Sequence, residues 1–188
     1  MCSSDLGELR LHAGQALPFD QLVIATGAWS ACLARTFGDH VLMESERGYN
    51  ITLPHSDIKL TREVIFAERK FVATPMDMGV RIGGAAEFAG LDASANFKRS
   101  DTLAKLARIY LPDLKLDNGT RWMGHRPTTP DSLPVIGRST RRADIIHAYG
   151  HGHGGLTLGP TTGRLVADLV AGRTPPIDLS PFAVSRFS

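Results

Sequence analysis

The segment that decides the fold is residues 144–158, which read DIIHAYGHGHGGLTL. An apolar run up to Tyr149 predicts a strand, and the glycine-rich residues 150–155 predict a turn. A helix is expected over residues 156–171, with an apolar face formed by Leu165, Val166, Leu169 and Val170. A strand that enters a helix through glycines is typical of proteins that bind a nucleotide or a similar flat, charged ligand.

The glycine turn fits G-x-G-x-x-G literally, but a dinucleotide site also needs a complete βαβ unit and a later acidic residue. Asp168 comes too early, inside the helix, and no second strand follows it. Two interpretations stay open. Glycines and the free N–H groups of a helix start could hold a planar ligand that becomes negative during a reaction. Alternatively, the glycines only allow close packing of strand and helix.

Residues 123–137, which read MGHRPTTPDSLPVIG, predict a strand end, a rigid loop over residues 127–134 and a short return strand. Arg126 carries a planar fork of donors that matches a carboxylate, and Pro127 restricts the chain at this point. The guanidinium could therefore bind a carboxylate ligand. An ion pair with Asp131 that only stabilises the loop is the alternative.

Strands are expected at residues 8–14 and 19–25, and the apolar run at 22–25 predicts a strand buried on both faces. A helix should follow at 28–37. The middle of the chain predicts an antiparallel sheet with strands at residues 48–53, 63–67, 71–74, 80–83 and 120–124. One helix is also predicted there, capped by Ser100 and ending before Pro112.

The fold class is therefore mixed α/β (α+β) with a discontinuous arrangement. Residues 7–38 and 126–175 are expected to form one domain, residues 39–125 a second domain, and residues 176–188 a tail. Trp29 and Trp122 are expected in the core.

Composition excludes several classes of protein. The chain has 188 residues, 43% of them hydrophobic, and a formal charge of +2, so nothing indicates nucleic-acid binding. Cys2 and Cys32 form no disulfide framework or metal motif, and no acidic residue or cysteine stands at ligand spacing around His151 and His153, so no metal is expected. No signal peptide or membrane span is predicted, and the expected location is cytoplasmic, with peripheral membrane contact left open.

Three segments, in this order, resemble one family. Residues 22–30 (LVIATGAWS) are similar to its flavin-adjacent V-I-A-T-G-A-W-S segment. Residues 124–137 resemble G-x-R-P…D-x-x-P-x-I-G, and residues 149–152 resemble its C-terminal flavin loop. The family is that of FAD-dependent D-amino-acid oxidases and dehydrogenases, which includes glycine oxidase, and the resemblance covers the chain from Glu8 to about Arg173.

The resemblance implies an FAD-binding domain interleaved with a substrate domain that is built on an antiparallel sheet. It implies oxidation of the Cα–N bond of an amino acid, with a D-amino acid expected, by hydride transfer to FAD. Arg126, Tyr49 and Phe71 would bind the substrate. The residues that would contact the cofactor are Thr26, Gly27, Trp29, Gly152, His153, Gly154, Gly155 and Leu156. No side chain is expected to act as a catalytic acid or base.

Phe71 departs from the family pattern, because glycine-oxidase-like members are expected to place a tyrosine there. The departure argues against glycine or sarcosine as substrate. A larger departure is the family's N-terminal Rossmann βαβ unit, which this sequence lacks, and residues 1–6 do not fit its pattern. We therefore expect a chain that is inactive alone and that needs an N-terminal FAD-binding segment or subunit as partner.

Other functions remain open on the sequence. The same flavin chemistry could act on hydroxyproline or on sarcosine-like amines, or the chain could be a non-catalytic interaction fragment or subunit. The electron acceptor could be oxygen or a membrane quinone.

Overall fold

The structure is a computed structural model that describes residues 7–12, 14–54 and 56–187. Its strands are β1 (Gly7–Arg10), β2 (Ala16–Phe19), β3 (Leu22–Ile24), β4 (Glu44–Leu53), β5 (Val64–Phe66), β6 (Phe71–Met76), β7 (Gly79–Phe88), β8 (Thr120–Thr128), β9 (Val135–Arg138) and β10 (Ile145–Tyr149). Its α-helices are α1 (Ser30–Thr36), α2 (Lys98–Tyr110) and α3 (Gly155–Val170). The chain divides into two compact units, unit 1 (Met1–Glu44 and Arg126–Ser188) and unit 2 (Ser45–His125).

Unit 1 begins with a hairpin in which β1 pairs antiparallel with β2. The predicted strand at residues 19–25 is therefore two short strands, because the chain leaves the hairpin at Asp20 before β3 begins. β3 pairs parallel with β10, and β10 pairs antiparallel with β9, in a sheet of order β3-β10-β9. The prediction that β3 is buried on both faces is wrong, since Val23 is 36% exposed on this edge strand.

The core of unit 1 joins both ends of the chain. Its buried members come from β3, α1, β9, β10 and the C-terminal segment: Ile24, Ala34, Val41, Val135, Ile145, Tyr149 and Val184. Val184 begins a short 3-10 helix (Val184–Phe187) that follows another (Ser180–Phe182). Residues 176–188, expected to be a tail, thus contribute to the core.

Unit 2 is a five-stranded sheet of order β5-β6-β7-β4-β8, in which the pairs β5–β6, β6–β7 and β7–β4 are antiparallel. Helix α2 covers one face. The core between them contains Ile51, Leu53, Phe71, Ala73, Val80, Ile82, Leu103, Ala104 and Ala107. Side chains alternate between the faces of a strand, so Asn50 and Thr52 of β4 lie on the other face, here called the open face.

A β-bulge interrupts the pairing of β4 with β7. Tyr49 pairs with Ala85, but the next residue, Asn50, pairs with Gly83, so Gly84 is the extra residue. Gly84 has φ +144°, and a Cβ there would lie 2.5 Å from the Lys70 carbonyl oxygen. Glycine is therefore required for the bulge on both grounds.

Helix α2 begins before the predicted Ser100 cap. Its N-cap residue is Phe97, and no side chain caps it. The Ser100 hydroxyl instead donates to the Asn50 carbonyl oxygen at 3.0 Å and ties the helix to β4. β8 is also longer than predicted, because an edge strand tolerates Pro127, whose missing N–H breaks no central ladder.

None of the helices in the described residues is long and apolar enough to cross a bilayer. Cys32 is a free, exposed thiol. Cys2 and the rest of residues 1–6, which the sequence marked as irregular, lie outside the described residues.

Candidate functional site

The glycine turn of unit 1 follows directly from the end of β10. Gly150 and Gly152 have φ values of +85° and +51°, which turn the chain out of the strand. A 3-10 turn (Gly152–Gly154) then enters α3, whose N-cap residue, Gly154, makes no side-chain cap. No side-chain hydrogen bond caps this helix start, so its partial positive charge and first backbone N–H groups suit an anionic ligand edge.

Two contacts of His151 hold the glycine turn in place. His151 forms an antiparallel bridge with Thr128 at the end of β8. Its Nε2 lies 2.8 Å from the Thr162 hydroxyl on α3, and burial lowers the pKa of the imidazole. A neutral His151 therefore links β8, the turn and the helix.

Arg126 lies two residues before the Thr128 bridge and is half-buried. The bridge brings His151, within the glycine turn, beside Thr128, two residues after Arg126, although these positions are far apart in sequence.

The loop after Arg126 is held by a partner that the sequence did not indicate. Both carboxylate oxygens of Asp131 accept from Arg186, at 2.8 and 3.3 Å, and this ion pair lowers the pKa of Asp131 to about 2. The alternative in which Arg126 neutralises Asp131 is therefore not needed to explain the loop.

Thr26, Gly27 and Trp29 lie directly after β3. Gly27 has φ +59°, and nothing lies within 4 Å of a Cβ built there. Trp29 is 54% exposed, so its expected place in the core is wrong. Thr26 shares a hydrogen bond of 3.0 Å with the Ser30 hydroxyl. This turn presents an open backbone and an exposed indole.

A buried polar chain, not foreseen from the sequence, lies beneath the glycine turn. His147 Nε2 is 2.8 Å from Asp39 Oδ2, and the other ring nitrogen is 3.1 Å from the Tyr149 hydroxyl. Thr140 donates to Asp39 Oδ1 at 2.9 Å. All three of Asp39, His147 and Tyr149 are buried. The network fixes the end of β10 from which the turn departs.

The two predicted substrate residues of unit 2 do not lie on its open face. Phe71 is buried on the α2 side, where it stacks on Phe66 at 4.3 Å between ring centroids. Tyr49 is also buried, and its hydroxyl donates to Glu87 and accepts from the Asn96 amide. A contact between substrate and Phe71 is incompatible with this burial. Strand alternation places its neighbour Val72 on the open face instead.

The open face carries a cleft of about 410 Å³ that the sequence did not reveal. It is lined by Asn50, Thr52, Pro54, Met78, Arg81, Thr120 and Trp122. Trp122 is 57% exposed, so its expected place in the core is wrong as well. Arg81 is the one charged residue of this lining, and its Nε lies 3.5 Å from the Thr52 hydroxyl. Arg81 does not pair with Glu87, because Glu87 bonds to Tyr49 and Arg99.

Among residues 7–12, 14–54 and 56–187, no group of three or more His, Cys, Asp or Glu side chains is arranged to hold a metal ion. His151 bonds to Thr162 as described, and His153 lies exposed in the turn.

Comparison with known proteins identifies the family. Residues 5–169 match the family described as FAD dependent oxidoreductase. The chain is 38% identical over 172 residues to a D-amino-acid oxidase of Bradyrhizobium diazoefficiens, a match that covers 89% of this chain and 41% of that protein. It is 34% identical over 178 residues to a D-amino acid dehydrogenase of Methylobacterium radiotolerans, with 93% and 42% covered.

Among solved structures, glycine oxidase from Geobacillus kaustophilus superimposes with a TM-score of 0.84 at 27% identity. The match covers 98% of this chain and 50% of that one. The chain therefore spans half or less of the length of these three proteins.

Proposed function

The chain belongs to the FAD dependent oxidoreductase family, and from this premise we propose that it forms the substrate-side half of an enzyme that oxidises the Cα–N bond of a D-amino acid. Both curated relatives carry D-amino acid names, which supports this substrate class. FAD is the cofactor of the family. Residues beyond this chain would hold its pyrophosphate and adenosine. Unit 1, which contains both the glycine turn and Arg126, would serve the flavin and the substrate carboxylate.

The observation that carries the proposal is the bridge between Thr128 and His151. It brings Thr128, two residues after Arg126, beside His151, from which the turn leads into α3. The guanidinium would bind the substrate carboxylate in bidentate fashion, which fixes the orientation of Cα. Bound FAD would supply the acceptor for the hydride that leaves Cα.

The residues of the turn fit a flavin edge. Gly152, His153, Gly154, Gly155 and Leu156 would line it through the backbone, because the uncapped start of α3 offers N–H donors to an edge that gains negative charge. Leu156 is 96% exposed and would be covered by the bound cofactor. Thr26, Gly27 and Trp29 would lie along the same ligand.

The argument from Phe71 against glycine or sarcosine does not survive, since Phe71 faces the core. Tyr49 likewise serves the packing around Glu87 and is not carried into the proposed site. The cytoplasmic location and the electron acceptor, oxygen or a quinone, stay predictions.

We predict that D-amino acids bleach the flavin absorbance of the FAD-loaded enzyme containing this chain when oxygen is excluded. L-enantiomers and amines without a carboxylate serve as matched controls. No bleaching by any amino acid would remove the proposed activity, and bleaching by the amines alone would show that the carboxylate is not recognised.

Gly152→Ala should weaken FAD binding by up to about thirtyfold. The substitution forces a Cβ into the left-handed region at φ +51°, which costs about 1–2 kcal/mol, and the turn can relieve this strain only by moving. Gly163→Ala is the control, because nothing lies within 4 Å of a Cβ at that helical position. Fluorescence titration of both variants with FAD measures the difference. Equal affinities would exclude the turn from the cofactor site.

A further inference from the structure

The C-terminal segment of unit 1 (residues 180–187) contacts the loop that follows Arg126 (residues 127–134) through Arg186. Its Nε donates to Asp131 Oδ2 at 2.8 Å, and its Nη2 donates to Asp131 Oδ1 at 3.3 Å and to the Leu133 carbonyl oxygen at 2.7 Å. One guanidinium thus contacts two points of the loop, with the bidentate geometry that makes arginine–carboxylate pairs specific.

Arg186 is itself held rigidly. Its remaining Nη1 donates to the Phe182 and Ala183 carbonyl oxygens at 3.0 and 3.2 Å, and its plane lies 4.2 Å from the Phe187 ring centroid. Val184, between these contacts, is 3% exposed and belongs to the core of unit 1. The side chain of Arg186 is only 14% exposed. The core of unit 1 therefore holds the C-terminal segment in place, and through Arg186 this segment holds the loop after Arg126 in place.

Asp131 connects Arg186 to the rest of the loop by hydrogen bonds. Its Oδ1 also accepts from the Leu133 amide at 3.1 Å, and the Leu133 carbonyl oxygen accepts from the buried Thr129 hydroxyl at 2.7 Å. The Ser132 amide closes the turn on the Thr129 carbonyl oxygen. Ser132 has φ +61°, a conformation that a serine keeps only when its surroundings impose it.

We infer that Arg186 is a positioning residue for carboxylate recognition, acting through Asp131 and the loop on Arg126. The inference rests on the proposed role of Arg126. Only Pro127 and Thr128 separate Arg126 from buried Thr129, so a loop that relaxes at Asp131 moves the strand end that carries the guanidinium. Misplacement by about 1 Å can cost a rate factor of about a hundred in oriented reactions.

The test compares Arg186→Met, Arg186→Lys and Asp131→Asn in the FAD-loaded enzyme containing this chain. Each should raise KM for a D-amino acid by about tenfold to a hundredfold, with a smaller change in kcat. Lysine should not rescue the methionine effect, since it cannot contact the carboxylate and the Leu133 carbonyl at once. The double variant Asp131→Asn/Arg186→Met should be no worse than Arg186→Met alone, because the Asp131 carboxylate acts through Arg186.

Arg173→Met is the matched control. Arg173 pairs with Asp168 at 2.8 Å but is exposed and touches no residue of the loop, so KM should not change. FAD affinity and the binding of an amine without a carboxylate should stay constant in all the variants.

Two results would separate the possible failures. If Arg126→Met raises KM and the Arg186 and Asp131 variants only lower the melting temperature, the positioning role is overturned while the proposed function stands. If Arg126→Met itself leaves KM unchanged, the carboxylate role of Arg126 fails and the role of Arg186 falls with it. Asp131→Asn gives the same readout from the loop side should Arg186→Met fail to fold.

Discussion

Arg126→Met should lower kcat/KM for a D-amino acid by about 30- to 1000-fold, which corresponds to about 2–4 kcal/mol. The substitution keeps much of the side-chain volume and removes the fork that would pair with the substrate carboxylate. Most of the effect should appear in KM, because the carboxylate keeps its charge throughout the reaction and the contact is made equally before and during hydride loss.

A graded series sharpens this prediction. Arg126→Lys keeps the charge but loses the bidentate geometry, so it should cost only about 1–3 kcal/mol. Steady-state kinetics on a D-amino acid and on the corresponding amine without a carboxylate provide the comparison. An equal loss on both substrates would mean that Arg126 supports the fold rather than the carboxylate.

Asp39→Ala should lower the free energy of unfolding by about 1–3 kcal/mol, because it leaves the buried hydrogen-bonding partners of the carboxylate unsatisfied. Asp39 and His147 are 3% and 0% exposed, so water cannot replace the lost contact. Asp39→Asn keeps an acceptor for the imidazole and should cost less. Denaturant unfolding of the protein measures both, and Asp144→Asn is the control, because its pair with Arg142 is exposed.

The pH dependence follows from the same network. Burial on its own would raise the pKa of Asp39, but hydrogen bonds from Ser139, His147 and Thr140 outweigh it, and the net pKa lies below 3.8. A carboxyl whose pKa is lower in the folded state stabilises the fold above its unfolded pKa, and this contribution is lost as pH falls through the folded value. The part of the stability gap between wild type and Asp39→Asn that comes from the Asp39 carboxylate should therefore narrow as the pH falls below about 4. A gap that does not narrow in acid would contradict the account.

Local patterns predicted the parts of the fold that depend on neighbouring residues. The glycine turn, the antiparallel sheet and the helices were visible because apolar spacing and glycine act over a few positions. Phe71 shows the limit. Its assignment to the substrate side rested on a loose alignment, and in a strand an error of one residue exchanges the two faces.

Hydrophobicity also failed to place the tryptophans. Trp29 and Trp122 are large and apolar, yet both are more than half exposed, because a sequence shows what a side chain prefers and not whether a neighbour covers it.

Contacts that join distant parts of the chain were missed altogether. Asp39 and His147 are 108 positions apart, and Asp131 and Arg186 are 55 apart. Only the folded chain brings such pairs together, since neither a carboxylate nor a guanidinium signals its partner locally. The contacts that fix the candidate site, Asp39 with His147 and Asp131 with Arg186, both join such distant positions.

The extra residue at Gly84 has an electrostatic consequence. Arg81 and Glu87 are separated by an even number of positions in one strand, and regular alternation would set them on the same side of the sheet. The inserted glycine reverses the alternation of side chains beyond it. Glu87 therefore faces Arg47 and Arg99, while Arg81 stays beside Thr52. The bulge thus keeps Arg81 from forming an ion pair with Glu87, and the positive charge of Arg81 remains in the cleft.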